Sequence, residues 1–364
     1  MSRLVELHEV GRQSPWLDNL KRSWITGGEL GRWVERGCRG ITSNPTIFQK
    51  AMTAGDAYDG ELAELAAGGA GAEESYWHLV TSDIRAALAV LRPTYDASGG
   101  TDGYVSVEVA PELAHDANAT AAAARQLHRR IDAPNLYVKV PATAAGVDAL
   151  RTLTAEGHSI NVTLIFSLAR YEQVIEAYLS GLESRPGDLS CVSGVASFFV
   201  SRVDTEVDRR LEAIGTPAAR ALRGRCAVAQ AKLAYTTFRR CFSGPRWAAL
   251  AARGARLQRP LWASTSTKNP AYPDTLYVDS LIGPDTVNTL PEATIEAFED
   301  HGTVARTIDA EVDDAAAVLN GLAQAGVDLA EVSEVLEAEG VAAFAKSFDE
   351  LLETLARRAA ELTA

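Results

Sequence analysis

Asn135-Leu-Tyr-Val-Lys-Val-Pro141 and Ser159-Ile-Asn-Val-Thr-Leu-Ile165 frame a helical stretch, Val147–Glu156. The two framing segments are short and rich in β-branched residues, so they read as strands. A strand, a crossover helix and a second strand make one parallel unit. The same rhythm extends in both directions. Further strands are expected at Trp16–Leu20, Gly40–Asn44, Tyr104–Val109, Cys191–Ser197, Pro260–Ser264 and Leu276–Leu281. Helical stretches fall at Glu74–Leu91, Asp116–Ile131, Leu168–Glu183, Arg202–Ile214 and Ala219–Arg239. Eight strands alternating with helices predict an α/β fold, a single closed (β/α)8 barrel, for which about 250 residues is typical.

The chain has 364 residues, and two additions account for the excess. One is the Gly-rich segment Pro45–Ala72 after the second strand, read as a loop excursion with a short helix. The other begins near Ala310, where Val341, Phe344, Phe348, Leu351 and Leu355 recur at helical spacing. That apolar face is expected to pack on the barrel exterior. Residues 1–364 read as one domain, with a division near Pro245 as the competing reading.

Lys139 is the anomaly inside the opening segment. Only six of the 35 basic residues are lysine, so a lysine in an apolar strand asks for something arginine lacks. A desolvated amine can shed its proton and attack a carbonyl; a guanidinium cannot. Strand parity sharpens the point. If Leu136, Val138 and Val140 face the helices, Tyr137 and Lys139 face the lumen. The same test turns Ser106 and Glu108 inward, then Asn161 and Thr163, then Thr42 and Asn44. In each strand the inward residue nearest the C-terminal end is polar, and that end is where barrel active sites lie. Four consecutive strands with polar groups at one level suit a reacting cavity better than a core, where each unpaired polar group costs roughly 1–3 kcal/mol.

A neutral amine condenses with a ketone to an imine, an electron sink that permits cleavage of the next carbon–carbon bond. Glu108 and Thr163 are placed to hold the water that shuttles protons, and Asp18 to take the proton from the departing carbon's hydroxyl. Ser197-Phe-Phe-Val-Ser-Arg202 brings Phe199 beside the sixth strand and Arg202 to a helix N-terminus, a place suited to phosphate. The loop Trp262-Ala-Ser-Thr-Ser-Thr-Lys-Asn-Pro270 adds hydroxyls, Ser264 among them, and the ammonium of Lys268.

The formal net charge of −13 argues against a nucleic-acid or anionic-membrane partner. No apolar run reaches the length of a membrane span and no signal-peptide core precedes the first strand. The four cysteines form no C-x-x-C pair, so a cytoplasmic protein with reduced thiols is expected. No cluster of Cys and His suggests a metal, and no Gly-rich nucleotide loop occurs.

Several of these segments are similar to those of one family, the transaldolases. Gly40-Ile-Thr-Ser-Asn-Pro-Thr-Ile-Phe48 resembles the family's signature after the second barrel strand, and Leu136-Tyr-Val-Lys-Val-Pro141 its Schiff-base lysine segment. Ile160-Asn-Val-Thr-Leu-Ile-Phe-Ser167 and Ala196-Ser-Phe-Phe-Val-Ser-Arg202 resemble two further elements, in the family's order, and the length is similar to the longer bacterial branch. The resemblance implies transfer of a dihydroxyacetone unit between sedoheptulose 7-phosphate and glyceraldehyde 3-phosphate, giving erythrose 4-phosphate and fructose 6-phosphate, in the non-oxidative pentose phosphate pathway. It implies phosphorylated sugars as substrates and no metal or organic cofactor. By position, Lys139 forms the Schiff base, Asp18 is the acid/base, and Glu108 with Thr163 holds the catalytic water. Asn44 and Asn161 bind the dihydroxyacetone hydroxyls with Ser197 and Phe199 nearby, and Arg202 binds phosphate. The chain departs from the family where a Ser-x-Arg pair is expected after the seventh strand. Ser264 fits, but no Arg follows, and Lys268 is assigned the missing charge. The alternative is a fructose 6-phosphate aldolase-like enzyme that releases free dihydroxyacetone. Monomer and homodimer both remain open.

Overall fold

The computed structural model describes residues 2–363. Eight parallel strands close into a barrel in sequence order: β1 (Gln13–Leu17), β2 (Gly40–Ile41), β3 (Tyr104–Glu108), β4 (Leu136–Pro141), β5 (Ile160–Ile165), β6 (Gly194–Phe199), β7 (Gln258–Ala263) and β8 (Thr286–Leu290). Closure is made by β8 against β1, from Gln13 opposite Thr286 to Leu17 opposite Leu290. Register sets the reactive level. Glu108 lies opposite Lys139, Lys139 opposite Asn161, and Pro141 opposite Thr163.

The lumen is filled from its floor upward, as a packed barrel must be. Asp102 is buried between Arg39 and Arg259, with Ser14 bonded to both Asp102 and Arg259. The two guanidiniums hold its carboxyl down to about 2 against the cost of burial. Above them the rings of Trp16, Tyr104 and Tyr137 stack, with Tyr137 centroids 6.0 Å from Trp16 and 4.0 Å from Tyr104. Gly40 allows this layer. A Cβ there would stand 2.4 Å from the Trp16 indole. The polar mouth begins directly on this aromatic floor.

Five expectations need correction. The eighth strand is Thr286–Leu290, whereas Leu276–Leu281 holds a short helix, Leu276–Asp279. An apolar run that short does not distinguish helix from strand by periodicity. The true strand was disguised because Thr286 and Asn288 are polar; Thr286 Oγ1 donates to the Gly283 carbonyl and Asn288 Nδ2 to the Tyr277 carbonyl. The first strand ends at Leu17 and the second at Ile41, so Asp18 and Thr42–Asn44 lie just beyond them. The stretch after β6 breaks into Pro217–Arg220 and Cys226–Cys241, with Gly224 at positive φ between them. The excursion after β2 holds two helices, Pro45–Thr53 and Asp59–Ala67, not one.

The C-terminal helix, Leu329–Thr363, is the largest departure. It lies across the C-terminal mouth instead of on the barrel exterior. Phe348 meets Tyr76 edge-on at 5.0 Å, and Phe344 reaches the cavity beside Lys139. Periodicity revealed the apolar face but not its partner. Glu337 pairs with Arg170, Glu331 with Arg210, and Asp59 with Arg358. Ser347 and Glu350 bond Thr46 and Gln49 on the helix after β2. Gly340 permits close contact with β5, since a Cβ there would come within 2.9 Å of Leu164. Leu164 has a positive φ of 61°, where the β5 register shifts.

Candidate active site

Lys139 projects from β4 into the mouth with 5% of its surface exposed. Its Nζ donates to the Ser43 carbonyl at 2.9 Å and to Glu108 Oε2 at 3.1 Å. Glu108 comes from the neighbouring strand and is equally enclosed. Burial pushes its carboxyl above the ordinary value, while the Lys139 charge pulls the other way. A proton shared across 3.1 Å between an amine and a carboxyl that resists ionisation is a movable one.

A cavity of about 150 Å³ opens above this pair. Lys139 lies at its base, Asp18 and Thr42 on one wall, Thr163 and Ser197 on another, with Phe344 closing the side. Asp18 accepts a hydrogen bond from Thr42 Oγ1 at 2.6 Å. Burial raises its carboxyl, and the Thr42 bond and Lys139 partly offset this. Thr163 Oγ1 is buried and lacks a hydrogen-bond partner among the described residues. In a core such a hydroxyl is anomalous; beside a reacting centre it is a place for water.

Asn161 stands one layer below, donating to Ser106 at 3.2 Å and accepting from Ser197 at 2.7 Å. Like Glu108, it shapes the cavity from beneath and does not line it. Asn44 lines the rim, its carboxamide oxygen capping Ile47 N–H at the start of the Pro45–Thr53 helix.

Two cations face the upper part of the cavity. Arg202 is the second residue of the helix Ser201–Ile214, with its guanidinium 5.4 Å from the Phe199 ring centre. Burial lowers its affinity for a proton. Lys268 stands at the rim and donates to Ser266 Oγ at 2.5 Å. Desolvation, then the nearby Arg202 charge, lowers its pKa. Two like charges aimed at one space call for an anion between them. The helix N-terminus contributes less than its position suggests, because Ser201 N–H is already taken by the Ser264 carbonyl at 3.1 Å. Ser264 adopts φ 57°, and its hydroxyl lies 2.9 Å from that of Ser201.

Sequence reasoning passed over four contributors. Ser266 occupies the position where an Arg was sought, and Thr289 bonds Thr42 at 2.6 Å. The Ser43 carbonyl holds the amine, but a backbone group has no residue-type signal. Phe344 belonged to the helical spacing already noted; what it covers depends on the path of a helix two hundred residues distant in the chain.

The chain matches the family model described as Transaldolase/Fructose-6-phosphate aldolase over residues 15–355. A transaldolase of Parafrankia sp. (strain EAN1pec) is 53% identical over 345 residues, 93% of this chain and 94% of that protein. A transaldolase of Frankia alni is 51% identical over 360 residues, covering 98% and 97%. One from Thermobifida fusca is 50% identical over 367 residues, the whole of both chains.

Proposed function

The chain belongs to the transaldolase/fructose-6-phosphate aldolase family, and from that premise we propose the following course for its reaction. The enzyme is a transferase that moves a dihydroxyacetone unit between phosphorylated sugars. The donor is fructose 6-phosphate or sedoheptulose 7-phosphate, and the acceptors are erythrose 4-phosphate and glyceraldehyde 3-phosphate. Glu108 takes a proton from Lys139, and the neutral amine adds to the donor's C2 carbonyl. A water held by Glu108 and Thr163 carries protons as the carbinolamine loses its hydroxyl as water, leaving the imine. Asp18 then removes the C4 hydroxyl proton; the C3–C4 bond breaks; the aldehyde departs; and its bonding pair remains as the enamine on Lys139. The acceptor aldehyde enters and the steps run in reverse. Asn44, with Ser197 and Phe199, holds the dihydroxyacetone end, and Asn161 orients Ser197 from beneath, while Arg202, Ser264 and Lys268 hold the phosphate.

The observation that carries this reading is the buried Lys139–Glu108 pair at 3.1 Å beneath a cavity whose upper wall bears Arg202 and Lys268. Phe344 and the C-terminal helix favour transfer over the aldolase alternative, because a covered enamine is shielded from water. Fructose 6-phosphate consumption with and without erythrose 4-phosphate tests the reading. Turnover that requires the acceptor and yields sedoheptulose 7-phosphate is expected. Equal consumption without acceptor, with free dihydroxyacetone accumulating, overturns it.

No helix among the described residues is long and apolar enough to cross a membrane. A cytoplasmic location fits the free cysteines and a phosphorylated substrate class. Residues 1–364 act as one domain, since the C-terminal helix supplies part of the cavity wall.

A further inference from the structure

Lys268 sits on a segment without regular structure. Residues 264–275 follow β7 with no helix or strand. Among the described residues, two side-chain hydrogen bonds connect 266–274 to the rest of the fold. One joins Asp274 to His301, both exposed. The other is Tyr272 Oη to Asp208 Oδ2 at 2.6 Å. Asp208 lies on the same helix as Arg202, Ser201–Ile214, and its Oδ1 also accepts the Gly224 N–H at 2.8 Å. Gly224 has a φ of 68°, and a Cβ there would stand 2.7 Å from the Tyr272 ring, so the ring lies against bare backbone. One turn earlier Asp204 is held the same way, by Tyr277 Oη and Ala227 N–H, each at 2.8 Å.

A second cavity, of about 240 Å³, lies beside this clasp and is walled by Asp204, Asp208 and Glu212. Lys268 lines both this cavity and the active-site cavity. Its ammonium therefore faces two spaces. In the active site it faces Arg202, a like charge, and Asp18, which attracts it. On the other side the three carboxylates are interleaved with Arg209. Tyr272 and Gly224 each donate to one oxygen of Asp208, which ties the loop to the helix that carries Arg202.

We propose that Tyr272, through Asp208, is a positioning residue for the substrate's phosphate. It ties the 266–274 loop to the helix that carries Arg202, so that the ammonium is set beside Arg202 before substrate binds. The affinity gained is that of a preorganised site. This rests on the reading of Lys268 as a phosphate ligand.

The test is a cycle of Tyr272→Phe, Lys268→Met and the double variant, with sedoheptulose 7-phosphate as donor. Acceptors are glyceraldehyde 3-phosphate and, for comparison, unphosphorylated glyceraldehyde. Tyr272→Phe keeps the ring on Gly224 and should keep the thermal midpoint. It should raise KM for glyceraldehyde 3-phosphate about five-fold, the scale of one hydrogen bond, with kcat and the KM for glyceraldehyde unchanged. The double variant should match Lys268→Met alone, since Tyr272 acts through that lysine. A Tyr272→Phe KM equal to the parent's overturns the proposal. So does a rise shared by both acceptors, which marks general loosening, or a penalty that adds in full to that of Lys268→Met. A Lys268→Met enzyme with unchanged KM for glyceraldehyde 3-phosphate removes the phosphate reading itself, and the clasp's role with it.

Discussion

At the scale of single residues, the site is governed by where one proton sits. In the proposed reaction, Lys139 needs its proton removed to attack and returned to make the imine an electron sink. Glu108, buried and 3.1 Å away, is the group that can do both. Arginine at 139 keeps the charge but cannot be deprotonated. Lys139→Arg should therefore cut kcat by more than about 10³-fold, on the scale of losing a nucleophile, with the circular-dichroism spectrum retained. Appreciable turnover would argue against covalent catalysis. Asp18→Asn should block bond cleavage yet leave imine formation intact, visible as a reducible adduct without product. The pH dependence follows from sign. Asp18 is the proposed base, and burial raises its carboxyl, so kcat/KM should fall on acidification at a pH above the ordinary aspartate value of about 3.9. An acid limb at or below that value would contradict the assignment. Parity alone made Lys139, Glu108 and Thr163 legible, because alternation on a strand is strict. Lys268 was legible only as a charge near the right place, since a loop has no parity.

At the scale of elements, the C-terminal helix turns an open barrel mouth into an enclosed one. Phe344 is 5% exposed and lies 6.0 Å from the Lys139 amine. Phe344→Ala should cost about 3 kcal/mol of stability and admit water to the enamine. The fraction of donor carbons released as free dihydroxyacetone should rise several-fold, read by coupled assay with acceptor present. An unchanged fraction would mean that the helix does not control water. Elements with a clear period were readable from the sequence, and the helices around β4 and β5 fall within a few residues of expectation. The eighth strand was not, because its polar residues take loop and helix carbonyls as partners. The resting place of the C-terminal helix was equally hidden, since an amphipathic pattern names a buried face and not the surface that buries it.

At the scale of the molecule, chain ends far apart in sequence build one site, from Asp18 near the start to Phe344 near the end. The one-domain proposal predicts coincident unfolding transitions by fluorescence and circular dichroism, and two separated transitions would contradict it. One contribution to stability against pH follows from a buried histidine. His128 and His158 stack at 4.5 Å, and burial, aided by the His158 charge, pushes His128 down to about 4 from 6.5. The folded state then refuses a proton that the unfolded chain accepts. Stability should fall as pH drops below about 6.5 and the effect should be complete near pH 4, a loss of about 3 kcal/mol. His128→Asn should flatten that slope in denaturant titrations, and an unaltered slope would place the sensitivity elsewhere. The central claim is the covalent one. Borohydride reduction in the presence of fructose 6-phosphate, followed by mass spectrometry of the whole chain and of the peptide holding Tyr137–Pro141, tests it most directly. One dihydroxyacetone-derived adduct per chain, on Lys139, is the predicted result; a folded, active protein whose Lys139 stays unmodified would contradict it.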